Sequence, residues 1–250
     1  MRVVTRGAVG LAVRTSGDDD GRPPVLLVHG MGSDHTTWRK VAGALRAQGR
    51  CVAAVDLRGH GRSGRAGSYR LDDFRDDLRV VVDDLGADRV DVVAHSLGAH
   101  AALRMAMAEP ERIGALVLEE VPPMPRDEVD VAEDIEPSAP LGERMRGLVS
   151  LLADPRPYLM FDRRVPDEVL VQFKQADPQW WADLSAVDAP ALVVSGGARS
   201  FLPPQHLAAV ADALPAARFH TIDAGHSVHQ RSPRAFIDAA VGHLTAGTES

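Results

Sequence analysis

The sequence predicts an α/β protein whose mostly parallel central sheet is flanked by helices, and three observations lead there. Short runs of β-branched and other apolar residues recur along the chain, near-continuous rather than alternating, as strands buried on both faces require. Longer segments with helical spacing separate these runs. Gly or Pro closes those segments, with Asp or Ser near their starts.

Taken in order, "RVVTR" and "AVGLAVRT" flank Gly7 and predict an antiparallel hairpin at the sheet edge, before the charged turn "SGDDDGRPP". The buried strands follow as "VLLVH" (25–29), "CVAAVD" (51–56), "VDVVAH" (90–95), "ALVLEE" (115–120), "ALVVSG" (191–196) and "ARFHTID" (217–223). Between them, "DHTTWRKVAGALRAQG" and "LDDFRDDLRVVVDDLG" end at Gly49 and Gly86, and "SLGAHAALRMAMAEP" ends at Pro110. From Pro122 to about Ala189 the alternation gives way to "PPMPRDEVDVAEDIEPSAP" and short helical pieces around "GERMRGLVSLLA", "DEVLVQFKQ" and "PQWWADL". A stretch of that length is too long for a structureless loop, so residues 122–189 are expected to form a small, mainly helical lid after the sixth strand of the core formed by 1–121 and 190–250.

A net charge of -7 without any basic block excludes an electrostatic footprint for nucleic acid or an anionic membrane and points to a small-molecule substrate; a monomer or homodimer is expected. The single cysteine, Cys51, excludes an intrachain disulfide and reads as a buried strand thiol. No signal-like apolar segment opens "MRVVTRGAVGLAVRT", and no run of about 18 apolar residues follows, so a cytoplasmic protein is expected.

Four stretches carry chemistry. In "VDVVAHSLGAHAAL" a strand runs directly into a helix with Ser96 at the junction, small residues (Ala94 and Gly98) two before and two after it, and the Leu97 N–H at the helix start. The alternative is that Ser96 only caps the helix. "LLVHGMGSDHTTW" places Gly30 and Met31 just after a strand, where the Met31 N–H suits an oxyanion donor or the glycines merely make a turn. "DLRGHGRSG" lacks P-loop spacing, so Arg58 and His60 belong to a structural turn. "DAGHSVH" sets His226 in a glycine-flanked loop after the final strand.

In this order the four stretches resemble the α/β-hydrolase superfamily over essentially the whole chain. The resemblance implies Ser96 as nucleophile, His226 as general base, and the backbone N–H groups of Met31 and Leu97 as the oxyanion hole beside Gly30. His95 and His229 are then structural or pocket residues, His220 lies in a strand, and His35 and His100 have no partner legible in the sequence. The acid is the open position. In most members it follows the strand matching "ALVVSGG", yet from Ala189 through Ala211 there is no Asp or Glu, and Phe201 stands in the vacated region. Dehalogenase-like members carry it at the end of the preceding strand, here Glu119-Glu120. Because side chains alternate along a strand, both cannot face the histidine. Glu120 is the expected acid, Glu119 the runner-up and Asp223 the third choice.

The same resemblance implies acyl transfer without a metal or organic cofactor. A serine at 96 argues against the epoxide hydrolase and dehalogenase reactions, which use an aspartate nucleophile. Esterase, lactonase, thioesterase, C–C hydrolase and haloperoxidase-like chemistry stay open, as does a low-turnover ligand receptor. Trp180, Trp181, Phe161, Tyr158, Met160 and Met124 either line an apolar pocket, with Trp181 and Phe201 as substrate-binding residues, or pack the lid onto the core.

Overall fold

Apolar runs of four to eight residues separated by helices leave little choice but a wound sheet, and the computed structural model, which describes residues 1–18, 20–133 and 159–246, has one. The edge hairpin joins β1 (Arg2–Arg6) to β2 (Val9–Ser16) through a turn in which Gly7 has φ 58°. β2 pairs antiparallel with β4 (Val52–Val55), and from there β3 (Val25–Val28), β5 (Val90–His95), β6 (Ile113–Glu119), β7 (Ala191–Ser195) and β8 (Ala217–Thr221) complete a parallel array. The spatial order is β1-β2-β4-β3-β5-β6-β7-β8. Its direction of winding reverses between β3 and β5, so the crevice where ligands bind in such sheets opens at the carboxyl ends of those two strands.

Alternation sorts the strand residues into two cores. Leu26 and Val28 pack with Leu78, Leu103 and Val193 on one face, while Val25 and Leu27 pack with Trp38, Leu45 and Phe236 on the other. α1 (Arg39–Ala47) and α9 (Pro233–Ala246) cover the second face. α2 (Leu71–Leu85), α3 (Leu97–Ala108) and α7 (Pro204–Ala213) cover the first. The predicted helix start "DHTTW" is instead a 3-10 turn, His35–Trp38, capped by Asp34, and α1 begins after it. Cys51 lies just ahead of β4 and is only partly buried.

Between β6 and β7 the described residues carry α4 (Glu128–Ala132), α5 (Arg164–Phe173) and α6 (Pro178–Asp183). The predicted piece around "GERMRGLVSLLA" and Tyr158 lie outside the described residues. α5 is fastened to the core by polar bonds to the start of α2: Gln172 Oε1 accepts from Leu71 N at 3.0 Å, and Glu168 Oε2 accepts from Tyr69 N at 2.9 Å. α6 docks through Trp180, which is buried and stacks on His100 of α3 with centroids 5.4 Å apart.

Candidate active site

Strand register brings the site together. Ala94 lies beside Val28 and Leu118, and His95 beside Glu119, which is in turn paired with Val194, so the residues that follow these strands emerge along one edge of the sheet. Ser96 sits at the β5–α3 junction with φ 52° and ψ -120°, a strained conformation for a residue with a side chain. The backbone is held there from both sides: Ser96 N donates to Glu119 O at 2.9 Å, and Ser96 O accepts the first helical bond from His100 N at 3.0 Å. The hydroxyl makes no capping bond to α3, so the capping reading of this serine finds no support.

The turn needs its glycines. A Cβ on Gly98 would lie 2.4 Å from His29 O, and one on Gly30 would lie 2.6 Å from His95 Nδ1 and 3.0 Å from Ser96 Cβ. Ala94, at the first small position, is accommodated in β5 with its methyl wholly buried. Leu97 opens α3, where the N–H has no acceptor within the helix and the positive end of the helix dipole lies. Met31 follows β3 on the facing loop, and Met31, Ser96 and Leu97 border one cavity with Phe173 of α5, Phe201 and Leu202. Trp181 is not among its described lining residues; the indole N–H donates to Met124 O at 2.7 Å and the ring packs beneath Arg126. Met124 and Phe161 are buried, Phe161 against the His60 ring, while Met160 is exposed.

Glu120 is the first residue beyond β6 and also has positive φ, 53°. Its N donates to Val194 O at 2.9 Å, which fixes the residue at the sheet edge. The carboxylate, fully buried, is met by donors on both oxygens: Gly196 N at 2.6 Å on Oε1, and the Ser200 hydroxyl and His226 Nδ1, the latter at 3.0 Å, on Oε2. A buried carboxylate requires such saturation. The loop carrying His226 is stitched to the one after β7, with Ala224 N and Gly225 N both donating to Gly196 O. A Cβ on Gly196 would fall 2.1 Å from Gly225 O. Phe201 lays its ring against that of His226, centroids 4.0 Å apart, and Ser200 rather than Phe201 is the side chain that reaches the acid.

Glu119 makes a second pair. Its Oε2 lies 2.7 Å from His229 Nδ1, and its Oε1 accepts from His229 N at 3.0 Å. Asp223, by contrast, is exposed and bridges Arg199 at 3.0 Å. His95 donates from Nε2 to His226 O at 2.9 Å, and His220 is exposed on β8. The two histidines without a legible partner have distant ones: His35 Nδ1 is 2.7 Å from Asp56 Oδ1, and His100 lies between Pro122 O at 2.9 Å and Arg104 Nε at 2.8 Å. Arg58 forms a buried two-point pair with Asp77 at 2.7 Å, which makes "DLRGHGRSG" a structural turn. Asp34, His35 and Asp56 are grouped closely enough to hold an ion. Their carboxylates already accept backbone N–H bonds from Thr36, His35 and Arg62, which accounts for the cluster as a turn clamp.

The family profile described as alpha/beta hydrolase fold matches residues 23–149. An sn-1-specific diacylglycerol lipase of Mus musculus is 24% identical over 248 residues, spanning 89% of this chain and 81% of that protein. Epoxide hydrolase B of Mycobacterium tuberculosis is 35% identical over 136 residues, 53% of this chain and only 37% of that protein. Among solved structures, an enol-lactonase from Burkholderia xenovorans LB400 superposes with a TM-score of 0.81 at 22% identity, covering 98% of this chain and 100% of that one, a likeness of fold.

Proposed function

The chain belongs to the α/β hydrolase fold family and is a hydrolase, and from that premise we propose that it cleaves the ester-type acyl bond of a small to medium hydrophobic substrate. Ser96 is the nucleophile, His226 the general base, Glu120 the acid, and the N–H groups of Met31 and Leu97 form the oxyanion hole. Ser96 Oγ attacks the acyl carbonyl while His226, engaged by Glu120 at Nδ1, accepts the proton through Nε2. The oxyanion develops between the two backbone donors. The leaving alcohol takes the proton from His226, and water, deprotonated by the same ring, releases the acyl group.

The observation that carries this reading is the 3.0 Å contact of His226 Nδ1 with Glu120 Oε2 at the sheet edge onto which Ser96 opens. A carboxylate there holds the ring tautomer and stabilises the imidazolium. The apolar lining of the cavity beside Ser96, with Phe173, Phe201 and Leu202, supports a hydrophobic acyl group. In the same reading residues 1–121 and 190–250 are the catalytic core and 122–189 the lid. The partial relative that is an epoxide hydrolase lends no reaction here, since a serine occupies position 96.

Intact-mass measurement of fluorophosphonate labelling, together with turnover of a panel of esters, lactones and thioesters, tests the proposal. One label on the wild type, none on Ser96→Ala, and multiple turnovers lost in that variant are expected. Labelling without turnover of any panel member would overturn the proposed acyl substrate class.

A further inference from the structure

Two adjacent glutamates ordinarily point to opposite faces of a strand. Here the positive φ of Glu120 turns it out of the extended pattern, so that Glu119 and Glu120 serve two histidines of one loop, three residues apart. Glu119 holds His229 by both its ring and its backbone N–H, at the start of α8 (Val228–Arg231). On its other side His229 Nε2 meets Thr37 Oγ1 at 2.6 Å, Gln230 donates to the same hydroxyl at 2.6 Å, and the His229 ring stacks on Trp38 with centroids 4.2 Å apart. The pair is sealed, with Glu119 fully buried and His229 nearly so. Such a closed polar network in the core is costly to build and does not border the cavity.

We propose, building on the acyl-transfer reading above, that Glu119 and His229 form a second, non-reacting carboxylate–imidazole pair that positions His226 and sets its protonation from behind. Glu119 anchors the turn that follows His226, and His95 anchors its carbonyl at 2.9 Å. His95 also links the two pairs, its ring 4.7 Å from that of His226 and 5.2 Å from that of His229. Burial pushes the Glu119 carboxyl up to about 7 and His229 down to about 3, so the carboxyl of this pair changes charge near neutrality. The titratable groups packed around Glu119 are His229 on the loop, Glu120 beside it on the chain, and His95 on β5, with His226 one ring beyond, against His95 and on the Glu120 carboxylate; Thr37, Trp38 and Val194 contribute no charge. An ionised Glu119 therefore favours the imidazolium of His226, and an uncharged one does not.

Glu119→Gln keeps the shape of the side chain and removes its charge. The expected result is a downward displacement of the His226 titration midpoint, read by NMR of ring-labelled protein without substrate, of roughly half to one pH unit. The acid limb of kcat/KM moves the same way, with KM within about twofold. A folded variant whose His226 midpoint and acid limb stay where the wild type has them overturns the inference. Should Glu119→Gln fail to fold, Glu119→Ser, which removes the same charge with a smaller polar side chain, serves with the same readouts and the same expected direction. The NMR titration needs no turnover, so it decides this inference apart from Ser96→Ala, which decides the reaction.

Discussion

Ser200, on the loop after β7, donates its hydroxyl to the same Glu120 oxygen that lies 3.0 Å from His226 Nδ1. The loop that lacks an acid thus still completes the carboxylate site from its own side, with Gly196 N binding the other oxygen at 2.6 Å. Ser200→Ala removes a hydrogen bond to a charged acceptor, a loss of about 1–2 kcal/mol, and should lower kcat roughly 5- to 30-fold with little change in KM. Steady-state kinetics check it, and an unchanged kcat would show that Gly196 alone orients the acid. Placing the carboxylate on this loop, as Ser200→Asp in a Glu120→Gln background, should restore part of the lost rate.

Glu120→Gln itself keeps two hydrogen-bonding positions in a buried site but leaves His226 without a carboxylate partner. Loss of the acid with the geometry intact costs about 10⁴-fold in kcat in the reference serine protease, and a loss of roughly 10³–10⁴-fold is expected here, together with slow fluorophosphonate labelling. Thermal unfolding should move by only a few degrees. A near-wild-type rate would remove Glu120 from the mechanism.

The strands were legible because parallel strands buried on both faces must be apolar throughout, and β3 through β7 carry such runs. β8 is the exception, an edge strand whose residues are largely exposed. α7 and α9 speak more softly in the sequence, being Ala-rich and opened by Pro204 and Pro233 rather than by an acidic cap. Within the site, Glu120 stood out by the carboxylate gap from 189 to 211. Ser200 did not, because a serine in a polar loop has no periodicity to betray it. Nor did the two-pair arrangement: alternation predicts opposite faces for Glu119 and Glu120, and only the local turn at φ 53° cancels it. The partners of His35 and His100 are set by tertiary contacts across sequence, the first 21 residues away.

Small residues around Ser96 differ sharply in what they tolerate. Gly98→Ala places a methyl 2.4 Å from His29 O, a backbone atom that cannot step aside, and should cost at least about 3 kcal/mol or abolish soluble expression. Ala94→Gly, in contrast, removes one buried methyl from β5 and should cost about 1 kcal/mol while leaving kcat within a few-fold. Differential unfolding of the two variants decides the point; equal losses would mean that the close approach at Gly98 is relieved by a shift of the β3 end.

Acid stability follows from the buried imidazoles. Burial pushes His60, His95, His100 and His229 down to about 3 in the folded protein, against about 6.5 in the unfolded chain. Between those limits the unfolded state binds protons that the folded state refuses, so stability falls as pH drops from about 6.5 towards 3. Glu119 acts in the opposite sense: its carboxyl, raised to about 7, lends stability at low pH that is lost as pH rises from about 4.5 to 7. In the window they share, four histidines outweigh one glutamate, and above about 7 neither gives a slope. The melting temperature should therefore be level above about pH 7 and decline steadily below about 6. His60→Phe, which replaces a ring whose buried Nε2 has no hydrogen-bond partner among the described residues, should flatten that decline by about one proton's worth. A melting temperature that holds or rises on acidification from about pH 7 to 5 would show that these rings are protonated in the folded state and that their burial is relieved by water or movement.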